Sequence, residues 1–387
     1  MRARRFSGPV AALVIAMVAA ACGSTSTSPT ITHTAQAAPT STADVSGLLG
    51  AAYDTVTPAA VALNGAGANS TEPFFTKVFY DYSKKNPNST INYSPAGSSV
   101  GITDIQQRTV NFGDSEIPMA SSDLAKAKGT VLQVPVDLGG VAISYNVPGA
   151  PKNLKLDGPT LAGIFQGTIK NWNAPQIAQV SGVSNLPNLP IIAVHRADSS
   201  GPGYDLDQYL IDTAPAWVSG IGTTKPSKTW PLATVGIGEQ LNTGVAQYVA
   251  QTQGAIGYVE YGYALQNGFA NAALKNASGA FVAPSEQSIA EAGSQTPTLS
   301  ATNFNIVNGP GTGTYPLANF SWTLIYQTQS DTDTGIALGK LFDYVVTTGQ
   351  GDAAALGYAP LPGDAVALAE GTLGELLGAS GTPLFTH

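Results

Sequence analysis

Residues 190–201 read Pro-Ile-Ile-Ala-Val-His-Arg-Ala-Asp-Ser-Ser-Gly, an apolar run that ends in a polar turn closed by glycine. Apolar side chains then recur at helical spacing, at Tyr204, Leu206, Tyr209 and Leu210. An apolar run, a small polar turn and a helical repeat in this order predict a strand that leads directly into a capped helix.

The same unit recurs along the chain. Residues 63–82 and 90–105 each contain an apolar stretch, a turn rich in Gly, Ser or Asn, and a helical repeat. Further on, a helical repeat over residues 241–249 leads into the apolar run 255–259. Strands that alternate with helices predict an α/β fold with mostly parallel sheets.

The composition limits the size of the fold and the class of ligand. A chain of 387 residues predicts about two domains at roughly 150 residues each. The 17 basic residues are outnumbered by 25 acidic ones, for a formal charge of −8. A nucleic-acid surface needs a basic face to replace phosphate counterions, so we expect no nucleic-acid partner. Any bound anion must be held by local contacts.

The first 21 residues have the features of an export signal. Arg2, Arg4 and Arg5 precede the apolar run 10–21, which is too short to span a bilayer. Small residues then lead directly into Cys22, the only cysteine of the chain. This pattern resembles a bacterial lipobox, in which Cys22 would be lipidated and become the mature N-terminus. The alternative is a plain secretory peptide followed by an incidental cysteine.

Residues 22–59 are predicted to be the lipidated cysteine and a flexible tether. Between residues 23 and 43 the chain is mostly Ser, Thr, Pro and Ala, with almost nothing to bury. Beyond residue 50 no apolar run reaches transmembrane length. We therefore expect an extracytoplasmic protein anchored to the outer face of the cell membrane.

Serine stands at three predicted helix starts, Ser70, Ser98 and Ser200. A helix N-terminus presents free N–H groups and the positive end of the helix dipole, so it attracts anions. In the third turn Arg196 adds a guanidinium, which Asp198 could orient for bidentate contact. Each serine could instead be an ordinary helix cap, and Arg196 and Asp198 a surface ion pair. The three turns together suggest one shared anion site.

Residues for catalysis or metal binding are scarce. His195 is accompanied only by His33 in the tether and His387 at the C-terminus, so a His-dependent nucleophile or a zinc site lacks ligands. The glycine-rich stretches 236–238 and 309–313 lack the lysine and hydroxyl residue that end a phosphate loop, and we expect ordinary turns. The sequence thus predicts a structural His195, no catalytic residue, no metal and no cofactor.

Seven segments, in order, give the chain a close resemblance to the PstS family, the substrate-binding proteins of the high-affinity phosphate ABC transporter. They are residues 65–68, 97–99, 111–118, 135–140, 169–172, 196–201 and 254–261. The last, Gly-Ala-Ile-Gly-Tyr-Val-Glu-Tyr, is the most distinctive. The resemblance implies a monomer that binds inorganic phosphate and delivers it to membrane permease subunits.

The resemblance also implies a fold and its domains. It is the two-lobed Venus-flytrap fold of periplasmic binding proteins, type II, in which the chain crosses twice between the lobes. We expect lobe I at residues 60–140 plus 318–387 and lobe II at 141–317, after the signal peptide 1–21 and the tether 22–59.

Most of the family's phosphate ligands have a counterpart in this chain. The serine of the Gly-Ser-Ser turn falls on Ser98, the arginine on Arg196 and its partner carboxylate on Asp198. The serine and glycine at the next helix start fall on Ser200 and Gly201.

Three positions differ from the family pattern. Asn69 and Ser70 replace a threonine and an aromatic residue, Glu116 replaces an aspartate, and Pro202 replaces a threonine. Glu116 keeps an acceptor that selects an oxyanion still carrying a proton, but its extra methylene extends one bond further into the cleft. Pro202 removes an N–H and a hydroxyl. Asp114 could be the acceptor instead of Glu116.

These differences leave two other functions open. The same fold could bind a different oxyanion, or it could serve as a surface sensor or adhesion protein with weakened phosphate binding. An enzyme such as a phosphatase ranks last, because no activated nucleophile or metal cluster is visible in the sequence.

Overall fold

The computed structural model describes residues 60–295 and 298–385. The predicted signal peptide, Cys22 and the tether lie outside these residues. No helix in the described part of the chain is both long and apolar enough to cross a membrane.

The described chain alternates strands and helices, as the sequence predicts. The strands are β1 (Val61–Gly67), β2 (Ser89–Pro95), β3 (Phe112–Ser115), β4 (Val131–Tyr145), β5 (Lys155–Leu156), β6 (Ile192–Arg196), β7 (Ile237–Glu239), β8 (Ala255–Glu260), β9 (Ala270–Asn271), β10 (Ala273–Lys275), β11 (Phe281–Val282) and β12 (Ala318–Tyr326). The helices are α1 (Glu72–Lys85), α2 (Ser98–Gln107), α3 (Ser121–Leu124), α4 (Gly158–Phe165), α5 (Pro175–Ser181), α6 (Gly201–Thr213), α7 (Pro215–Ile221), α8 (Leu241–Gln251), α9 (Tyr261–Gln266), α10 (Glu286–Ser294), α11 (Thr332–Val346) and α12 (Gly363–Leu373). Two 3-10 turns, Thr348–Asp352 and Ala354–Leu356, precede α12.

The main sheet joins parallel outer strands through antiparallel central ones. Its order is β2-β1-β3-β12-β4-β8-β6-β7, with β9 also paired to β4, while β11, β10 and β5 form a small separate sheet. Strand β1 is parallel to β2 and β3, and β6 is parallel to β7 and β8. The pairs that involve β4 or β12 are antiparallel. The sequence therefore predicts β1, β2, β6 and β8 but misses the antiparallel centre of the sheet. There β4 follows β3 without a long helix between them, and β12 pairs with both.

Strand β4 changes partner halfway along its length. It pairs with β12 up to Gly140 and with β8 from Val141 onward. The chain returns at Ala318, where β12 begins opposite Gly140. On this observation we propose the two lobes with the sequence-based bounds, lobe I at residues 60–140 plus 318–387 and lobe II at 141–317.

Each proposed lobe contains a group of aromatic rings in contact with one another, and both groups belong to one continuous hydrophobic core. In lobe I, Phe75 stacks on Phe79 with ring centroids 4.5 Å apart, and Phe112 contacts Phe342 at 5.1 Å. These rings come from α1, β3 and α11 and lie on one side of the sheet. Lobe II centres on Trp230, which contacts several rings; the nearest are Tyr258 at 5.2 Å and Trp217 and Phe165 at 5.4 Å. Such contacts add to the burial of apolar area that stabilises a core.

One local prediction is wrong. Residues 236–238 are expected to be an ordinary turn, yet Ile237–Glu239 forms the edge strand β7, paired in parallel with β6. Only Gly236, with φ of +85°, has turn geometry. A three-residue edge strand is too short to show the alternation from which strands are predicted.

The fold brings several strand ends together at one place. Strands β1, β3 and β6 each end just before a predicted site residue, namely Ser70, Glu116 and Ser200. Helix α2 begins after Gly97, whose φ of +101° is readily adopted only by glycine. Ligands of open α/β sheets bind beyond such carboxyl ends.

Candidate functional site

The carboxylate of Glu116 lies between the starts of two helices. Its Oε2 accepts a hydrogen bond from the N–H of Gly201 at 3.1 Å and one from Ser98 Oγ at 3.5 Å. Ser70 Oγ accepts from Asn242 Nδ2 at 3.1 Å, which leaves its own proton free to donate. The Ser70 hydroxyl lies close enough to Glu116 to lower the pKa of that carboxyl. The structure thus brings Ser70, Ser98, Glu116 and Gly201 together.

Helix α6 has few free donors at its N-terminus. Gly201 is its first residue, and Pro202 has no N–H. The N–H of Gly203 is bound at 3.1 Å by Ser200 Oγ, which is a helix cap. The N–H of Tyr204 donates to the carbonyl of Ser200 at 3.2 Å. Gly201 is therefore the one backbone donor of this turn that can reach a ligand.

The guanidinium of Arg196 is buried and oriented by Asp198. Nε donates to Asp198 Oδ1 at 2.7 Å and Nη2 donates to Oδ2. Leu241 fixes the carboxylate in turn, since its N–H donates to Oδ1 at 3.0 Å. The Arg196 side chain is only 2% exposed, so this is not a surface ion pair. Its third nitrogen, Nη1, has no hydrogen-bond partner among the described residues.

Buried acids surround Glu116. Burial raises the pKa of Glu116 to about 7, against the opposing effects of the Ser70 hydrogen bond and the Arg196 charge. Burial likewise raises the pKa of Asp137 to about 7. The pKa values of Asp205 and Glu260 lie well above their usual range, first because of burial and then because of the charge of Glu116. These carboxyls are therefore only partly ionised near neutral pH.

Asp114 is the alternative acceptor from the sequence, but its carboxylate has other partners. Oδ1 accepts from Thr71 Oγ1 at 2.9 Å and Oδ2 from Thr323 Oγ1 at 3.2 Å. These contacts lie within lobe I. Of the two acids, Glu116 is the one at the helix N-termini.

Asn69 is placed differently from the other predicted ligands, because its amide contacts residues of both proposed lobes. Oδ1 accepts from the N–H of Asn242 at 2.8 Å, and Nδ2 donates to Tyr263 and Glu72, each at 2.8 Å. The side chain thus has no free donor directed at Glu116.

Sequence reasoning missed Asn242, Asn319 and Tyr258. Asn319 Nδ2 donates to Asp205 Oδ2 at 2.6 Å and to Glu116 Oε1 at 3.5 Å. Tyr258 accepts the N–H of Arg196 at 2.9 Å through its hydroxyl. For Tyr258 the available signal is the segment 254–261, which carries the family resemblance, whereas no quoted motif includes Asn242 or Asn319.

His195 is buried beside the site. Its Nδ1 pairs with the carbonyl of Arg196 at 3.0 Å, and its ring stacks on Trp230. These contacts fit the structural role predicted for it. Within residues 60–295 and 298–385, no three His, Cys, Asp or Glu side chains are grouped so that they could hold a metal ion.

Comparison with known proteins identifies the family. A family model described as a PBP superfamily domain matches residues 32–349. The phosphate-binding protein PstS of Xylella fastidiosa (strain Temecula1) is 38% identical over 305 residues, which cover 78% of this chain and 82% of that protein. The phosphate-binding protein PstS of Pasteurella multocida is 36% identical, over 80% and 89% of the two chains. This chain belongs to the PstS family.

The fold agrees with that membership. The crystal structure of a phosphate-binding protein from Stenotrophomonas maltophilia superposes with a TM-score of 0.62 at 20% identity, covering 81% of this chain and 94% of that one. The predicted two-lobed α/β fold of periplasmic binding proteins is thus confirmed. PstS proteins are substrate-binding proteins of a transporter and not enzymes, as the sequence predicts.

Proposed function

We propose that this PstS protein binds inorganic phosphate between its lobes and delivers it to an ABC transporter. The observation that carries the proposal is the meeting of donors from both lobes at one buried point. Ser70 and Ser98 come from lobe I and Gly201 from lobe II. Nη1 of Arg196, which has no partner in the part of the chain that the structure describes, lies in the same region. Aimed N–H groups, hydroxyls and one guanidinium hold an oxyanion without net positive charge.

Glu116 is the proposed acceptor at this site. An ionised carboxylate only accepts hydrogen bonds, so it favours HPO₄²⁻ or H₂PO₄⁻ over sulfate, which carries no proton. Asp198 orients the guanidinium, and Ser200 contributes as helix cap and through its hydroxyl proton. Asn69 acts in lobe closure through Asn242 and Tyr263.

The N-terminal sequence supports an extracytoplasmic protein anchored to the membrane. Residues 1–21 serve as a lipoprotein signal, Cys22 carries the lipid, and residues 22–59 connect the folded lobes to the outer face of the cell membrane. The protein acts as a monomer that presents phosphate to the permease subunits after hinge closure.

Calorimetry tests the proposal directly. The full chain, dialysed free of phosphate, should bind one phosphate per molecule, and sulfate much more weakly. Arg196→Ala should weaken phosphate binding by at least about a hundredfold, because a buried charge-assisted pair contributes about 3 kcal/mol. The matched control is Arg108→Ala. Arg108 lies away from the site. It donates to the carbonyl of Lys128 and lies over the ring of Tyr326. A folded wild-type chain that binds no phosphate would refute the proposal.

A second candidate is a sensor or a receptor for another oxyanion. The observation that favours it is that Glu116 already engages the Gly201 N–H, while Pro202 offers none. A thermal-shift series with phosphate, arsenate, sulfate and molybdate separates the two. Stabilisation by another anion alone, with no response to phosphate, would support the second candidate.

A further inference from the structure

The Glu116 carboxylate has the environment of a bound anion. It meets the first N–H of α6, the Ser98 hydroxyl at the start of α2, and the Ser70 hydroxyl, and it is attracted by Arg196. Only 4% of the residue is exposed. Helix N-termini and a guanidinium are the groups that hold free oxyanions in proteins.

The contact of Glu116 with Gly201 leaves no spare room. A Cβ atom added to Gly201 would lie 2.3 Å from Cβ of Glu116 and 2.4 Å from its Oε2. Glu116 belongs to the proposed lobe I and Gly201 to lobe II, so this contact also ties the lobes. Ser99 and Ser199 meet across the same boundary at 2.6 Å.

The Gly201 N–H is the one free backbone donor at the start of α6. In the first turn of α6 the N–H of Gly203 is bound by Ser200, that of Tyr204 is bound within the helix, and Pro202 has none. One N–H makes one strong hydrogen bond, so a phosphate oxygen and the Glu116 carboxylate cannot both hold Gly201 at full strength. An aspartate at position 116 would keep the acid one bond further back.

We propose that Glu116 is an internal competitor for the anion position and sets a low phosphate affinity. The proposal rests on the phosphate-binding function given above. A ligand must displace the carboxylate from Gly201, Ser98 and Ser70, and the free energy of those bonds is subtracted from the free energy of phosphate binding. Glu116 thus has two roles. Without phosphate its carboxylate occupies the anion position, and with phosphate bound it accepts a hydrogen bond from the proton of the ligand.

Calorimetry with inorganic phosphate on the full-length wild type and on Glu116→Asp tests it. The shorter acid should bind phosphate at least about tenfold more tightly, a difference of about 1.4 kcal/mol. The matched control is Glu370→Asp, because Glu370 is an equally buried glutamate in α12, remote from the cleft. Its phosphate affinity should equal that of the wild type. Thermal melting establishes that each variant is folded.

Four outcomes are possible, and two of them distinguish the competitor from the phosphate receptor. Tighter binding by Glu116→Asp than by a binding wild type supports both. Binding by Glu116→Asp alone supports the competitor and refutes the wild type as a phosphate receptor. Equal or weaker binding by Glu116→Asp, with a wild type that binds, overturns the competitor and leaves the receptor. No binding by either folded protein overturns both. If Glu116→Asp does not fold, Glu116→Ser takes its place in the same comparison.

Discussion

Glu116 Oε2 lies 3.1 Å from the backbone nitrogen of Gly201, and the two residues belong to the two different proposed lobes. The contact joins the end of β3 to the start of α6, and it places a carboxylate where the family resemblance implies a phosphate oxygen. The side chain of glutamate is one methylene longer than that of aspartate, and this extra length lets the carboxylate reach the Gly201 N–H. The residues at the site are mostly those that the sequence predicts. The difference is that Gly201 binds the Glu116 carboxylate.

Gly201→Ala should destabilise the protein by about 1–3 kcal/mol, because a methyl group cannot fit against Glu116. Urea unfolding measures the change. The control is Gly371→Ala in α12, where an added Cβ meets nothing within 4 Å; it should stabilise by about 0.5–1 kcal/mol. In the double variant with Glu116→Asp, part of the loss should be recovered, since the shorter side chain makes room. Strict additivity of the two changes would contradict the direct contact.

Stability should fall as the pH rises from about 5 to about 8. Burial raises the folded-state pKa of Glu116 and of Asp137 to about 7, from ordinary values of 4.5 and 3.8. The folded state then binds more protons than the unfolded chain, so stability is fully present below the unfolded pKa values and is lost as the pH rises through about 7. Asp205 and Glu260 act with the same sign.

Urea unfolding at the two pH values measures this slope. The variants Glu116→Gln and Asp137→Asn should each reduce it, since an amide does not titrate. Asp331→Asn is the control, because Asp331 is an exposed helix cap whose pKa is lowered by Thr334. If the wild type is more stable at the higher pH, ionisation of these buried acids does not destabilise the folded state.

Sequence patterns predict the helices α1, α2, α6 and α8 and the strands β1, β2, β6 and β8, because each shows a helical period or an apolar run next to a polar turn. The lobe-crossing strand β4 is harder, since it is buried along almost all of its length and carries no alternation. Among the site residues, Ser98, Arg196 and Gly201 are found by motif. The bridging role of Asn69 is not, because it depends on Asn242, 173 residues away in the chain. Pairings of this kind arise from tertiary packing and leave no local signal.

Sulfate binding should depend on pH through Glu116. Below a pKa of about 7 the acid is neutral and can donate a proton to sulfate, whereas above it the carboxylate repels sulfate. We expect sulfate to bind at least about tenfold more tightly at about pH 6 than at about pH 8, measured by calorimetry. Glu116→Gln should show a smaller ratio between the two pH values, with the remainder due to Asp137 and its neighbouring acids. A wild type whose sulfate affinity does not change with pH would refute the selective role of Glu116.

Tyr263→Phe should open the cleft without disturbing either lobe. The hydroxyl of Tyr263 in lobe II meets Asn69 Nδ2 at 2.8 Å and Glu72 Oε2 at 2.9 Å in lobe I, while its ring packs within lobe II. Loss of the hydroxyl leaves buried polar groups unpaired, at a cost of about 1–3 kcal/mol that falls on the closed form. Because only the closed form binds tightly, phosphate affinity should fall by about five- to a hundredfold.

Calorimetry and small-angle scattering measure the two effects together, as a weaker affinity and a larger radius of gyration. Tyr248→Phe is the matched control, since Tyr248 lies on α8 and packs on the same apolar cluster as Tyr263. Its affinity and radius should equal those of the wild type. If Tyr263→Phe binds phosphate as tightly as the wild type, the hydroxyl contributes nothing to closure, and the lobes are held by Glu116 and Gly201 rather than by the contacts of Asn69.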